Sequence, residues 1–197
     1  MGPEGLLGAP RRPSTSRTPG EASPGLLAQL GAACARVFFG GLRVGLGAFC
    51  FYAVFFNLSV VRGSSMTPGI EDGDRILVEP WSYLFHGAER GDVVVLRYPL
   101  DPDVDYIKRV IGLPGDRVTL ADGRVWVNGQ LLDEPYVLDD DPTSYLSVEV
   151  EAEHYFVLGD NRPRSSDSRE FGQVPDRLLR GRVDLRLWPP ARMGWVN

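Results

Sequence analysis

The 197-residue chain has room for one domain with appendages, and its 43% hydrophobic and 24% charged content is globular in character. A formal charge of −5 argues against a dedicated nucleic-acid binder, which would present a basic face. Two cysteines (Cys34, Cys50) and two histidines (His86, His154), widely scattered, do not make the four convergent ligands of a zinc site, so no metal or cofactor is expected.

The N-terminal 1–25 is rich in Pro, Gly and Ser and poor in apolar residues. Such a segment cannot bury enough surface to offset its ordering entropy, and a disordered tail is expected. From Leu26 the chain becomes apolar, and residues 44–61, VGLGAFCFYAVFFNLSVV, carry no charge. As a helix this stretch spans ~27 Å, close to the ~30 Å of a hydrocarbon core. A cleaved leader would be shorter and nearer the start, and a core helix is seldom apolar on every face. Residues 26–61 therefore read as a juxtamembrane segment and one transmembrane helix, with the span at about 44–61. Arginines 11, 12, 17, 36 and 43 lie on its N-terminal flank. The positive-inside bias then puts the N-terminus in the cytoplasm and everything after Val61 outside.

Residues 62–197 read as a β-rich extracytoplasmic domain. RILVEP, DVVVLRYP, YIKRVIGL, RVTL, RVWV, YLSVEVE and YFVLGD are short runs rich in β-formers, separated by Gly, Pro and Asp clusters. Asp122-Gly123 and Asn128-Gly129 predict two successive tight hairpins, within a hairpin-rich insertion at about 118–153. Arg90-Gly91-Asp92 reads as a turn leading into a strand.

Three clusters could carry chemistry. The first is GSSM, residues 63–66, placed just where the apolar run ends. A serine nucleophile needs a base, but neither His86 nor His154 sits in a recognisable catalytic context. The second is Lys108, the single lysine among 21 basic residues. Arginine replaces lysine at a solvated surface, but a guanidinium stays protonated and cannot act as a base. Lys108 is thus either a general base or a lysine retained in a snorkelling position. The third is GDNRPRSSDSREFG, residues 159–172, a polar loop in which Asp167 and Arg169 could pair and Ser165 could orient a neighbour.

Taken in order behind an N-terminal anchor, RGSSMTP, DYIKRVIGLPGD and GDNRPRSSDSR resemble the boxes of bacterial type I signal peptidases. GDRILVEPWSY resembles a further box between the first two. The resemblance covers about residues 44–188. It implies a mainly β, signal-peptidase/LexA-like catalytic domain behind one N-terminal transmembrane helix, and a membrane-bound serine endopeptidase that removes signal peptides after small-x-small sites. Carried over by motif, Ser65 is the nucleophile and Lys108 the general base of a Ser/Lys dyad. Ser165 would hydrogen-bond the lysine, Asp167 and Arg169 would support the loop, and Met66, Tyr106 and Ile107 would line shallow substrate pockets. Gly63 stands where some members carry a serine that serves the oxyanion hole, leaving the Ser65 backbone N–H as the main implied donor.

The partners this implies are preprotein signal peptides, the phospholipid membrane and, as a candidate, the secretion translocon; nucleic acid is not among them. Two other readings stand beside it. One is an inactive or specialised membrane-anchored partner of the same fold. The other, a self-cleaving repressor of the LexA type, would need a DNA-binding headpiece in place of an apolar span.

Overall fold

A computed structural model describes residues 25–55 and 57–196. Apart from Gly25, the expected N-terminal tail lies outside the described residues. Helix α1 runs from Leu26 to Phe55, and its stretch Gln29–Phe51 is long and apolar enough to cross a membrane. At the helical rise, 23 residues extend about 34 Å. The apolar segment therefore begins earlier than the expected 44–61 and ends before it. Residues Asn57–Val60 are not helix but strand β1, hydrogen-bonded along its length to β2, Arg75–Glu79. An uncharged apolar run serves a helix or a buried strand equally well, and pairing with β2 decides between them.

The rest of the chain is mainly β, as expected. After β2 come a short helix α2 (Ser82–Phe85), β3 (Val93–Tyr98) and the long β4 (Asp101–Gly112). Next follow β5 (Arg117–Ala121), β6 (Arg124–Val127), β7 (Gln130–Leu131), β8 (Leu146–Glu149) and β9 (His154–Leu158). The chain then passes through the one-turn α3 (Ser168–Phe171), β10 (Val174–Pro175), β11 (Leu179–Trp188) and β12 (Gly194–Trp195). The described strands pair antiparallel in two sheets. One has the order β1-β2-β11-β3-β4-β9-β10 with β12 also on β11, and the other the order β7-β6-β5-β8.

The small sheet follows directly from its turns. Asp122 and Asn128 have φ of 51° and 54°, and the glycines after them 75° and 79°. Two successive left-handed residues are what a two-residue hairpin needs to match strand twist, and Asp-Gly and Asn-Gly tolerate that conformation.

Three apolar clusters hold the sheets. Strand β3 contributes to two of them, because alternate side chains face opposite sides: Val93 and Val95 to one, Val94 and Leu96 to another. The third lies where the small sheet meets β4 and β9, around Val118, Leu120, Val125, Ile111, Phe156 and Leu158. β4 thus runs through the centre of the structure, and its middle carries Lys108.

Candidate active site

Ser65 lies in the turn after β1, and Lys108 on β4. Lys108 Nζ is 2.9 Å from Ser65 Oγ and donates a second hydrogen bond, of 2.8 Å, to the carbonyl of Ile107. Lys108 is only 3% exposed. Burial lowers its pKa from 10.5 to about 8, outweighing the upward pull of Asp167 and Asp160. That pull is limited because each of these carboxylates is itself paired with an arginine. Arg109 grips Asp160 through Nε and Nη2 at 2.9 and 2.7 Å, and Arg169 grips Asp167 through the same pair of nitrogens at 2.8 Å each. The lysine is therefore desolvated without a dedicated partner, which is the condition for a neutral amine near physiological pH.

The polar loop after β9 braces the serine turn. Asp167 is fully buried; it caps α3 by accepting from the Arg169 N–H and also accepts from the Gly159 N–H at 3.0 Å. Arg169 reaches on to Asp141 and to the Arg162 carbonyl, so one guanidinium ties two points of the loop to the connection between β7 and β8. Gly159 allows the close approach of loop and turn. A Cβ there would fall 2.5 Å from both the Ser65 carbonyl oxygen and the Ser165 Cβ.

Ser65 and Lys108 border a groove of about 460 Å³, whose walls include Val60, Val61, Tyr106 and Ile107. Two of the three expected pocket residues, Tyr106 and Ile107, are therefore on its wall. Met66 is not: it is 2% exposed and buried in the core cluster on which Ile107 packs. The expected hydrogen bond from Ser165 to the lysine is also not made. Ser165 Oγ is buried beside Gly159 and has no hydrogen-bond partner, while Lys108 turns instead to the Ile107 carbonyl.

Several residues with structural roles at the site had no role assigned from sequence. Asn161 donates its backbone N–H to the Ser65 carbonyl at 3.0 Å and its side-chain amide to the Ser64 carbonyl at 3.1 Å. Ser168 Oγ accepts from the Val157 N–H, and Glu134, from the small-sheet region, pairs with the buried Arg162. Asn161, Arg162 and Ser168 lie within the polar loop motif. Nothing in local spacing points to Glu134 or Asp141.

Residues 36–188 match the family model for signal peptidase, peptidase S26. A structure of a signal peptidase I from Enterococcus faecalis aligns at a TM-score of 0.44 with 33% identity, covering 49% of this chain and 97% of that one. The chain is 41% identical over 143 residues to a probable signal peptidase I-2 of Synechocystis, covering 70% of this chain and 65% of that protein. It is 40% identical over 148 residues to signal peptidase I of Bacillus caldolyticus, covering 68% and 80%. With a match that takes in part of its apolar helix and the whole of its serine turn, lysine strand and polar loop, the chain belongs to the signal peptidase family, peptidase S26.

Proposed function

We propose that this protein removes signal peptides from exported preproteins through a Ser65–Lys108 dyad. The observation that carries this reading is the 2.9 Å approach of the buried, depressed Lys108 amine to Ser65 Oγ. Neutral Nζ takes the hydroxyl proton as Oγ attacks the scissile carbonyl, giving a tetrahedral oxyanion. The resulting ammonium gives its proton to the departing amine as the C–N bond breaks, leaving an ester on Ser65. Lys108 then deprotonates a water that attacks the ester, and the proton returns to Oγ as the acid is released. The Ser65 N–H, which has no protein acceptor among the described residues, is the oxyanion donor.

The groove supports an extended substrate. Among the described residues, the edge of β4 ahead of Arg109 that faces away from β3 has no strand partner, since β9 begins pairing only at Arg109. A peptide adding there as a strand would set alternate side chains against the walls, and Tyr106 and Ile107 would limit their size. Asp167 and Arg169 hold the loop, and Ser165 fills space beside Gly159.

The helix Gln29–Phe51 is the membrane anchor in this reading. Arginines 11, 12 and 17 precede it, which supports a cytoplasmic N-terminus and a catalytic domain on the far side, where a signal peptide's cleavage site emerges. A reporter active only outside the cytoplasm, fused after Asn197, is expected to work; activity from a cytoplasmic reporter alone reverses the orientation. The enzymatic reading is tested by incubating the detergent-solubilised chain with a preprotein and sequencing the new N-terminus. Cleavage after a small-x-small site, absent in Ser65→Ala, supports it. No cleavage by the native chain would favour the inactive-partner reading.

A further inference from the structure

We infer that Asn161 is a positioning residue for the oxyanion hole: it locks the Ser64–Ser65 peptide in the orientation that turns the Ser65 N–H toward the reacting carbonyl. The inference deepens the peptidase reading and rests on it.

In a trans peptide the C=O and the N–H point in opposite directions, so fixing one fixes the other. The Ser64 carbonyl accepts two hydrogen bonds, from Asn161 Nδ2 at 3.1 Å and from the Thr67 N–H at 3.2 Å. The next carbonyl, that of Ser65, accepts from the Asn161 backbone N–H at 3.0 Å. One residue of the polar loop therefore holds two consecutive carbonyls of the nucleophile turn. The N–H between them, that of Ser65, is left without a protein acceptor on the opposite side of its peptide plane.

A flip of the Ser64–Ser65 peptide turns only ψ of Ser64 and φ of Ser65, so the hydrogen bonds to these two carbonyls are what oppose it; the flanking Gly63, at φ 100°, is anchored separately by its N–H to Asp72. A flip would aim the Ser64 carbonyl oxygen at the developing oxyanion in place of a donor. Gly63 brings no hydroxyl to the hole, so the orientation of this single N–H carries more of the stabilisation than it would in a site with a second donor. Asn161 is itself held: its carbonyl accepts from the Arg164 N–H, and its neighbour Asp160 is clamped by Arg109.

The test compares Asn161→Ala and the isosteric Asn161→Asp with the native full-length chain in detergent. Four quantities are read: kcat and KM on a preprotein peptide, the affinity of a peptide aldehyde, and the melting temperature. The aldehyde reports the hole directly. Ser65 Oγ adds to its carbon, the hydroxyl proton passes to Lys108, and the former carbonyl oxygen becomes the oxyanion.

Loss of a single oxyanion donor typically costs on the order of 10²- to 10³-fold in kcat. Thr67 still restrains the flip, so Asn161→Ala is expected to lose about 10- to 100-fold in kcat with KM nearly unchanged. Aldehyde affinity should fall by the same factor. Asn161→Asp, which sets a carboxylate oxygen against the Ser64 carbonyl, should lose more at equal volume and similar melting temperature.

A rise in KM with constant kcat would overturn the inference in favour of substrate contact. So would a fall in kcat with unchanged aldehyde affinity, or an Asn161→Asp chain with native kinetics. If either variant melts early, the ratio of aldehyde to substrate-peptide affinity, taken below its melting temperature, still decides. A native chain that neither cleaves peptide nor forms the aldehyde adduct overturns the peptidase reading together with the inference.

Discussion

Ser65 and Lys108 are 43 residues apart in the chain, and their Oγ and Nζ atoms stand 2.9 Å apart in the fold. The contact joins the turn after an edge strand to the middle of a central one. It places the single amine of the chain's basic side chains in a buried position. Because the pKa of Lys108 lies at about 8, kcat/KM is expected to rise with pH through that value as the amine becomes neutral. Lys108→Arg keeps charge and reach but cannot lose its proton, and cleavage should fall to background. A pH–rate profile and an endpoint assay check both; a tenth of native turnover in Lys108→Arg would remove the dyad.

The same burial has a consequence for stability. The unfolded lysine holds its proton up to about 10.5, whereas the folded one gives it up near 8. Between those values the unfolded state binds more protons, so this group's contribution to stability rises with pH across the window. At neutral pH and below, the buried ammonium costs the fold about 3 kcal/mol, at 1.36 kcal/mol per unit. Lys108→Met should therefore melt higher than the native chain at pH 6, with the gain shrinking toward pH 10. Thermal melts across pH read this directly, and a gain that grows with pH would contradict it.

The adjacent serines should behave differently. Ser65 Oγ meets the lysine, while Ser64 is exposed and its carbonyl is what the neighbouring loop holds. Ser65→Ala should abolish cleavage and Ser64→Ala retain a measurable rate, as product formation over time will show.

Gly159 and Ser165 offer a paired test of space against hydrogen bonding. Gly159→Ala would drive a Cβ into the Ser65 carbonyl and the Ser165 side chain, so activity should fall by about 100-fold or more even where the chain folds, a barrier rise of about 2.7 kcal/mol. Ser165→Ala removes a hydroxyl that has no partner, and its rate should stay within about threefold of native. Single-turnover rates separate the two.

Asp167 is buried under four hydrogen bonds, three of them from Arg169, two of those through its guanidinium. Asp167→Ala takes two hydrogen bonds from the Arg169 guanidinium and leaves it Asp141 as its counter-ion, a change that typically costs about 1–3 kcal/mol. Denaturant unfolding should show that loss, with activity falling alongside it because the loop no longer braces the Ser65 turn.

Chemistry that depends on what a side chain is could be read from the sequence. One lysine among arginines marks a group that must be able to lose a proton, and Asp122-Gly123 and Asn128-Gly129 specify their turns because both residues of each pair tolerate left-handed backbone. What depends on long-range placement could not be read. The residues of β1 continue the uncharged run of the helix before them, and only pairing with β2 makes them a strand. Met66 lies beside the nucleophile in sequence, yet the turn directs it into the core. Ser165 sits in the expected loop with its hydroxyl unpartnered, while Asn161, four residues earlier in the same motif, holds the carbonyls of Ser64 and Ser65. Glu134 and Asp141, far off in the small-sheet region, pair with Arg162 and Arg169 of the loop. A hydrogen bond is made or lost over a few tenths of an ångström and a few tens of degrees, and those are set by how the sheets pack, not by the spacing of residues along the chain.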